Sequence, residues 1–233
     1  MRSTLLLVAA LSAVLGVRSP AQCPPKPPAP LVGAAQRFED EIASFEAADR
    51  VSRPPKGSVL FVGSSSIRVW PDLKADFPNI DVLQRGFGGS TLDEVDHYVP
   101  RIVLPYCPRL IVLYAGDNDL AEGRTPEQIL ADFKTFVGLV RNPMPKTRII
   151  FVSIKPSTAR VALLGKMREA NALVRQYIAS DPSLTYVDVF TPMLDSTGVP
   201  RGELFQSDGL HMNAQGYAIW RVLLQPLVSA PAR

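Results

Sequence analysis

Four short polar segments hold the residues whose types and spacing could do chemistry. They are Gly63-Ser64-Ser65-Ser66, Gly86-Phe87-Gly88-Gly89-Ser90-Thr91, Gly116-Asp117-Asn118-Asp119 and Ser207-Asp208-Gly209-Leu210-His211. Together they offer a hydroxyl, backbone N–H groups beside glycine, a carboxamide and an Asp/His pair. Acyl transfer needs this inventory: a nucleophile, a base to take its proton, a carboxylate to orient the base, and donors for the oxyanion. The imidazole can come only from His97 or His211. His97 sits in Leu92-Asp93-Glu94-Val95-Asp96-His97-Tyr98, which reads as the polar face of a helix. His211 follows Asp208 by three positions in a glycine-containing loop, so the base is expected there. Taken singly, each residue has an ordinary reading. Ser65 and Asp208 could cap helices, Gly88 and Gly89 could permit a tight turn, and Asn118 could tolerate unusual backbone angles. Their joint occurrence, in order and next to strand ends, carries the chemical reading.

Those segments need elements to position them, and the apolar pattern supplies these. Five short stretches read as strand candidates, at 59–62, 81–84, 110–114, 149–152 and 186–189, the first a wholly apolar run suited to a buried strand. Helical spacing links Phe38, Ile42 and Phe45 within 34–49. A second helix opens at Thr125-Pro126-Glu127, with Thr as the cap and Pro in the first turn, and lines up Ile129, Phe133, Phe136 and Val140. A third carries Leu163, Met167, Ala170, Val174 and Ile178. The last, 213–227, carries Trp220, Leu224 and Leu227. Buried strands alternating with helices predict an α/β fold, a mostly parallel five-stranded sheet covered on both faces. In such sheets ligands bind beyond the carboxyl ends of the strands, where strand order reverses. If the first and third strands are neighbours, the first three polar turns converge on one rim.

Composition narrows the function classes. The chain has 233 residues, 46% hydrophobic and 20% charged, which describes a folded globular protein. Residues 1–21 read as a secretory signal: Arg2, then an uncharged apolar stretch at 5–17, then Ser19-Pro20-Ala21. Cleavage after Ala21 would remove Arg2 and Arg18 and lower the formal charge from +3 to +1. No basic run remains, which argues against nucleic acid or an anionic membrane as partner, and against stable membrane insertion after cleavage. Export would place the protein outside the cell or in a periplasm, with lipidation at Cys23 the alternative. Residues 22–31, rich in proline, read as a stiff tether, and 32–233 as a single domain. Cys23 and Cys107 could form a disulfide or stay apart. Two cysteines and two histidines far apart make a poor structural zinc site.

The four segments resemble the blocks of the SGNH hydrolases, also called GDSL-type esterases and lipases. Gly63-Ser64-Ser65 matches the Gly-Asp-Ser block, Gly89 the glycine of the second, Gly116-Asp117-Asn118-Asp119 the Gly-x-Asn-Asp block, and Asp208-Gly209-Leu210-His211 the Asp-x-x-His block. Ser64 departs from the usual Asp. The resemblance implies a three-layer α/β/α sandwich of flavodoxin-like type. It implies Ser65 as nucleophile, His211 as base, Asp208 as its orienting carboxylate, and an oxyanion hole from the N–H groups of Ser65 and Gly89 with the Asn118 amide. It implies no cofactor and no metal.

The substrate expected is a small-molecule ester, because no long insertion offers a hydrophobic lid. Similarity to exported bacterial members implies short acyl esters, with O-acetyl groups on carbohydrate among them. Loops 120–124 and 155–160 should line the pocket; Lys155 or Arg160 either contacts a polar or anionic leaving group or is a solvated surface charge. Two rival classes remain. A dinucleotide site in Gly86-Phe87-Gly88-Gly89-Ser90-Thr91 would need its third glycine where Thr91 stands. An exported binding module would keep the fold without the chemistry, yet every required group is present. Neither the Gly-x-Ser-x-Gly elbow nor the P-loop pattern occurs.

Overall fold

Five strands build the frame: β1 (Val59–Gly63), β2 (Val82–Gly86), β3 (Leu110–Tyr114), β4 (Arg148–Val152) and β5 (Leu184–Val187). They pair in the order β2-β1-β3-β4-β5, every pair parallel, in a computed structural model that describes residues 37–230. The stretches 1–21 and 22–31, and with them Cys23, lie outside the described residues. No helix among the described residues is long and apolar enough to cross a membrane.

The helices are α1 (Glu39–Val51), α2 (Ser65–Arg68), α3 (Leu73–Asp76), α4 (Leu92–Ile102), α5 (Asp117–Ala121), α6 (Pro126–Arg141), α7 (Leu164–Ile178) and α8 (Ala214–Val228). Strand side chains alternate between faces, and the core divides accordingly. Leu60, Val62, Leu83, Ile111, Leu113, Ile149 and Phe151 pack with residues of α1, α4, α6 and α7. Val59, Phe61, Val82, Leu110, Val112, Ile150 and Val152 pack with residues of α2, α3 and α8. The result is a three-layer α/β/α fold whose β1 and β3 are buried along their whole length. Each Leu, Ile, Val or Phe so covered contributes about 1.5–3 kcal/mol relative to exposure.

Strand order reverses between β1 and β3, and register fixes what meets there. Gly63 lies level with Gly86 on one side and Tyr114 on the other, so three chain segments leave the sheet at one height. Local chemistry then turns them. Thr91 caps α4 through a capping box with Glu94, and Thr125 caps α6 with Gln128. The fifth strand ends at Val187, two residues short of the end expected from the sequence. Asp188 accepts from the N–H groups of Phe190 and Thr191, and Ser153 Oγ accepts from those of Val189 and Phe190, which bends the chain out of the ladder. The four-residue helices α2 and α3 have no apolar period long enough to be read from the sequence.

Candidate active site

The turn after β1 is built by backbone. Gly63 has φ +131°, and a Cβ there would lie 1.8 Å from the Tyr114 carbonyl oxygen, so only glycine lets the two strands part at this point. Ser64 N–H donates to Tyr114 O at 2.9 Å, and the Ser64 carbonyl accepts from Ile67 and Arg68 at the start of α2. The Ser64 side chain is fully buried, and its hydroxyl has no hydrogen-bond partner among the described residues. The turn therefore stands without any side-chain bond from position 64. Ser65 opens α2 and is half-buried.

His211 arrives from the other end of the chain. Asp208 Oδ1 accepts from the N–H groups of Leu210 and His211, both at 2.9 Å, while Oδ2 lies 2.5 Å from His211 Nδ1. One carboxylate thus shapes the loop with one oxygen and holds the imidazole with the other. These bonds, the imidazole contact foremost, hold the Asp208 pKa down at about 2, so it is ionised across the neutral range. A carboxylate can only accept, so Nδ1 carries a proton, and in the neutral imidazole Nε2 is then the acceptor. Nε2 lies 3.1 Å from Ser65 Oγ. The loop is also docked sideways: Gly209 (φ +66°) offers its carbonyl to Thr158 Oγ1 and Ala159 N–H, each at 3.0 Å.

Asn118 stands on α5, beyond the turn at Gly116, whose φ is +116°. It is 8% exposed, and both ends of its amide are held. Nδ2 donates to Ser90 O at 3.0 Å, and Oδ1 accepts from Arg160 Nη2 at 2.9 Å. Gly89 precedes Ser90 with φ +76° and with open space where a Cβ would stand. The loop carrying Gly89 is pinned from α1, where Glu41 accepts from Gly88 N–H at 3.2 Å and from Arg68 at 3.3 Å. Asp119, fully buried, accepts from Leu92 N–H at 2.8 Å and so ties α5 to the start of α4. Burial pushes its carboxyl up to about 7, with that N–H pulling the other way.

The structure brings Ser65, Asp208 and His211 into one hydrogen-bonded chain and joins Asn118 to the segment carrying Gly89. His97, half-buried on α4, stays outside this chain. Lys155 and Arg160 are not solvated surface charges; both are drawn to Asp117. Lys155 is 1% exposed, 3.5 Å from Asp117 Oδ2, and Arg160 Nη1 lies 3.0 Å from the same oxygen. Burial lowers the Lys155 pKa, and Asp117 opposes the shift. The sequence reading passed over Asp117 and Glu41. Asp117 had a signal, a carboxylate beside Asn118 in a short turn; Glu41 had none beyond its place among the acidic residues opening α1.

The profile of the GDSL-like lipase/acylhydrolase family matches residues 58–219, and the chain belongs to that family. Its fold is similar to that of a Streptococcus pneumonia protein provisionally described as a platelet activating factor (19% identity, TM-score 0.74, covering 83% of this chain and 94% of that one). A GDSL-like lipase from Bacteroides thetaiotaomicron is similar at 21% identity and TM-score 0.66, covering 83% of this chain and 96% of that one. A carbohydrate esterase family 3 protein from Talaromyces cellulolyticus is similar at 15% identity and TM-score 0.58, covering 73% and 95%. No curated protein sequence matches it.

Proposed function

We propose that this chain is a serine esterase that hydrolyses small acyl esters through an acyl-enzyme on Ser65. The observation that carries the reading is the 3.1 Å contact between His211 Nε2 and Ser65 Oγ, on an imidazole whose Nδ1 is already held by Asp208. As Ser65 Oγ attacks the acyl carbonyl, its proton passes to Nε2, and the ionised Asp208 stabilises the imidazolium that forms. The carbonyl oxygen becomes an oxyanion, received by the N–H groups of Ser65 and Gly89 and by the Asn118 amide. The imidazolium gives its proton to the leaving alkoxide as the ester C–O bond breaks. Water, deprotonated by His211, then attacks the acyl-enzyme and releases the acid, and the proton returns to Ser65.

Short acyl groups, O-acetyl esters of carbohydrate among them, are the proposed substrates. Support comes from the shared fold of a carbohydrate esterase. Export to the cell exterior or a periplasm is proposed from residues 1–21. Hydrolysis of p-nitrophenyl acetate by residues 24–233 and by Ser65→Ala tests the reading. Turnover in the parent and its loss in the variant are expected; turnover surviving in Ser65→Ala removes Ser65 as nucleophile, and a folded but inert parent favours a binding module.

A further inference from the structure

We propose that Arg160 is a positioning residue for the oxyanion hole, locking the Asn118 carboxamide in the orientation that presents its N–H to the substrate. The proposal rests on the reading of Asn118 as an oxyanion donor. A carboxamide can rotate by half a turn about its last torsion and exchange Oδ1 with Nδ2 at little steric cost. One orientation offers a donor to the growing negative charge, and the other offers a repulsive oxygen. Two fixed partners make the choice. Arg160 Nη2 can only donate and takes Oδ1 at 2.9 Å; Ser90 O can only accept and takes one hydrogen of Nδ2 at 3.0 Å. A flip would set N–H against guanidinium and oxygen against carbonyl, losing both bonds at once. The second hydrogen of Nδ2 is left over for the oxyanion.

Arg160 is itself held. Its Nη1 lies 3.0 Å from Asp117 Oδ2, and Lys155 approaches the same oxygen at 3.5 Å. The guanidinium therefore spans two consecutive side chains of α5, hydrogen-bonded to Asn118 through Nη2 and ion-paired with Asp117 through Nη1, a reach that a planar fork has and a point-like ammonium lacks. It reaches them from the 3-10 segment Thr158–Leu163, where the backbone of Arg160 itself departs from helical angles (φ −125°, ψ 31°). A cationic donor on Oδ1 also draws electron density from the amide nitrogen and strengthens the N–H facing the oxyanion. Nη2 is engaged on Asn118, Nη1 is paired in charge with Asp117, and the Arg160 side chain is 16% exposed.

The test is the kinetics of Arg160→Ala, Arg160→Lys, Asn118→Ala and the Arg160→Ala/Asn118→Ala double variant on p-nitrophenyl acetate, an uncharged substrate. Thermal unfolding is followed alongside to show that each variant is folded. Arg160→Ala and Arg160→Lys are expected to lose on the order of tenfold or more in kcat with KM nearly unchanged. The double variant should be no slower than Asn118→Ala, because without the amide there is nothing to orient. Added guanidinium ion should recover part of kcat in Arg160→Ala but none in the double variant, a readout a merely structural role would not give. Independent losses that multiply in the double variant would overturn the proposal, as would a raised KM with kcat intact. If Asn118→Ala alone leaves kcat unchanged, or the folded parent has no turnover, the oxyanion reading falls and this proposal with it. If Asn118→Ala is slow while Arg160→Ala is not, only the positioning role falls.

Discussion

His211 Nε2 and Ser65 Oγ, 146 positions apart in sequence, lie within a single hydrogen bond of 3.1 Å. Neither residue reaches the other through its own element alone. Ser65 is set by the Gly63 turn at the sheet's reversal point. His211 is set by Asp208 within its loop and by Thr158 and Ala159 against the loop's side. The contact is thus a property of the whole rim, which makes its parts separable by substitution.

Asp208→Asn should separate loop shape from imidazole orientation. The variant's amide oxygen can still accept from Leu210 and His211 N–H, so folding should persist. Its NH2 group, facing His211, would favour the tautomer with the proton on Nε2, the wrong side for taking the Ser65 proton. A fall in kcat on the order of 10³-fold or more is expected with little change in unfolding temperature. A loss below about tenfold would show that Asp208 does not set the tautomer.

Asn118→Ala should lower kcat by roughly a hundredfold or more while KM moves little, since the bond it removes strengthens only as charge develops. Steady-state kinetics on a short-chain ester reads this directly. An unchanged kcat would take Asn118 out of the scheme.

Two glycines at the rim should respond differently to alanine. At Gly63 the new Cβ meets Tyr114 O at 1.8 Å with φ +131°, so Gly63→Ala should fail to give folded protein. At Gly89 the space is open and only the positive φ resists, a cost of about 1–2 kcal/mol. Gly89→Ala should therefore fold with a modestly lower denaturation midpoint. A folded Gly63→Ala of parental stability would contradict the turn geometry described above.

Asp96 supplies a pH dependence of stability. It is buried on α4 with Oδ1 lacking a hydrogen-bond partner among the described residues. Burial first, then the carboxylates of Asp132, Asp93 and Asp119, raises its pKa from 3.8 to about 9. Between those values the folded protein keeps a proton that the unfolded chain has lost, so this group's contribution falls as pH rises, by up to about 1.4 kcal/mol per pH unit. Asp96→Asn removes the titration. Its unfolding temperature should gain on the parent's between about pH 5 and pH 8; two parallel curves would contradict the assignment.

The sheet was legible in the sequence because β1, β3 and β4 are built on apolar runs, and the first three strands sit next to a glycine or a polar turn. The parallel arrangement followed from the intervening helices, two of whose starts, at Thr91 and Thr125, are marked by capping residues. The strand β5 was displaced because Asp188, an acceptor for two following N–H groups, ends a ladder that the apolar pattern would continue. Within the site, Ser65, Asn118, Asp208 and His211 stood out by residue type. Lys155 and Arg160 did not reveal their partner, because the pairing with Asp117 exists only where β4 lies beside β3 and brings their following loops together. Charge in a loop reads as solvated until the neighbouring loop is known.

The central claim is that His211 makes the Ser65 hydroxyl reactive. Its most direct measurement is labelling of the full chain with a fluorophosphonate, which reacts with activated serines, followed by peptide mapping by mass spectrometry. A single adduct on Ser65 that disappears in a folded His211→Ala variant is the expected result. No adduct in the parent, an adduct on another serine, or undiminished labelling without His211 would contradict it.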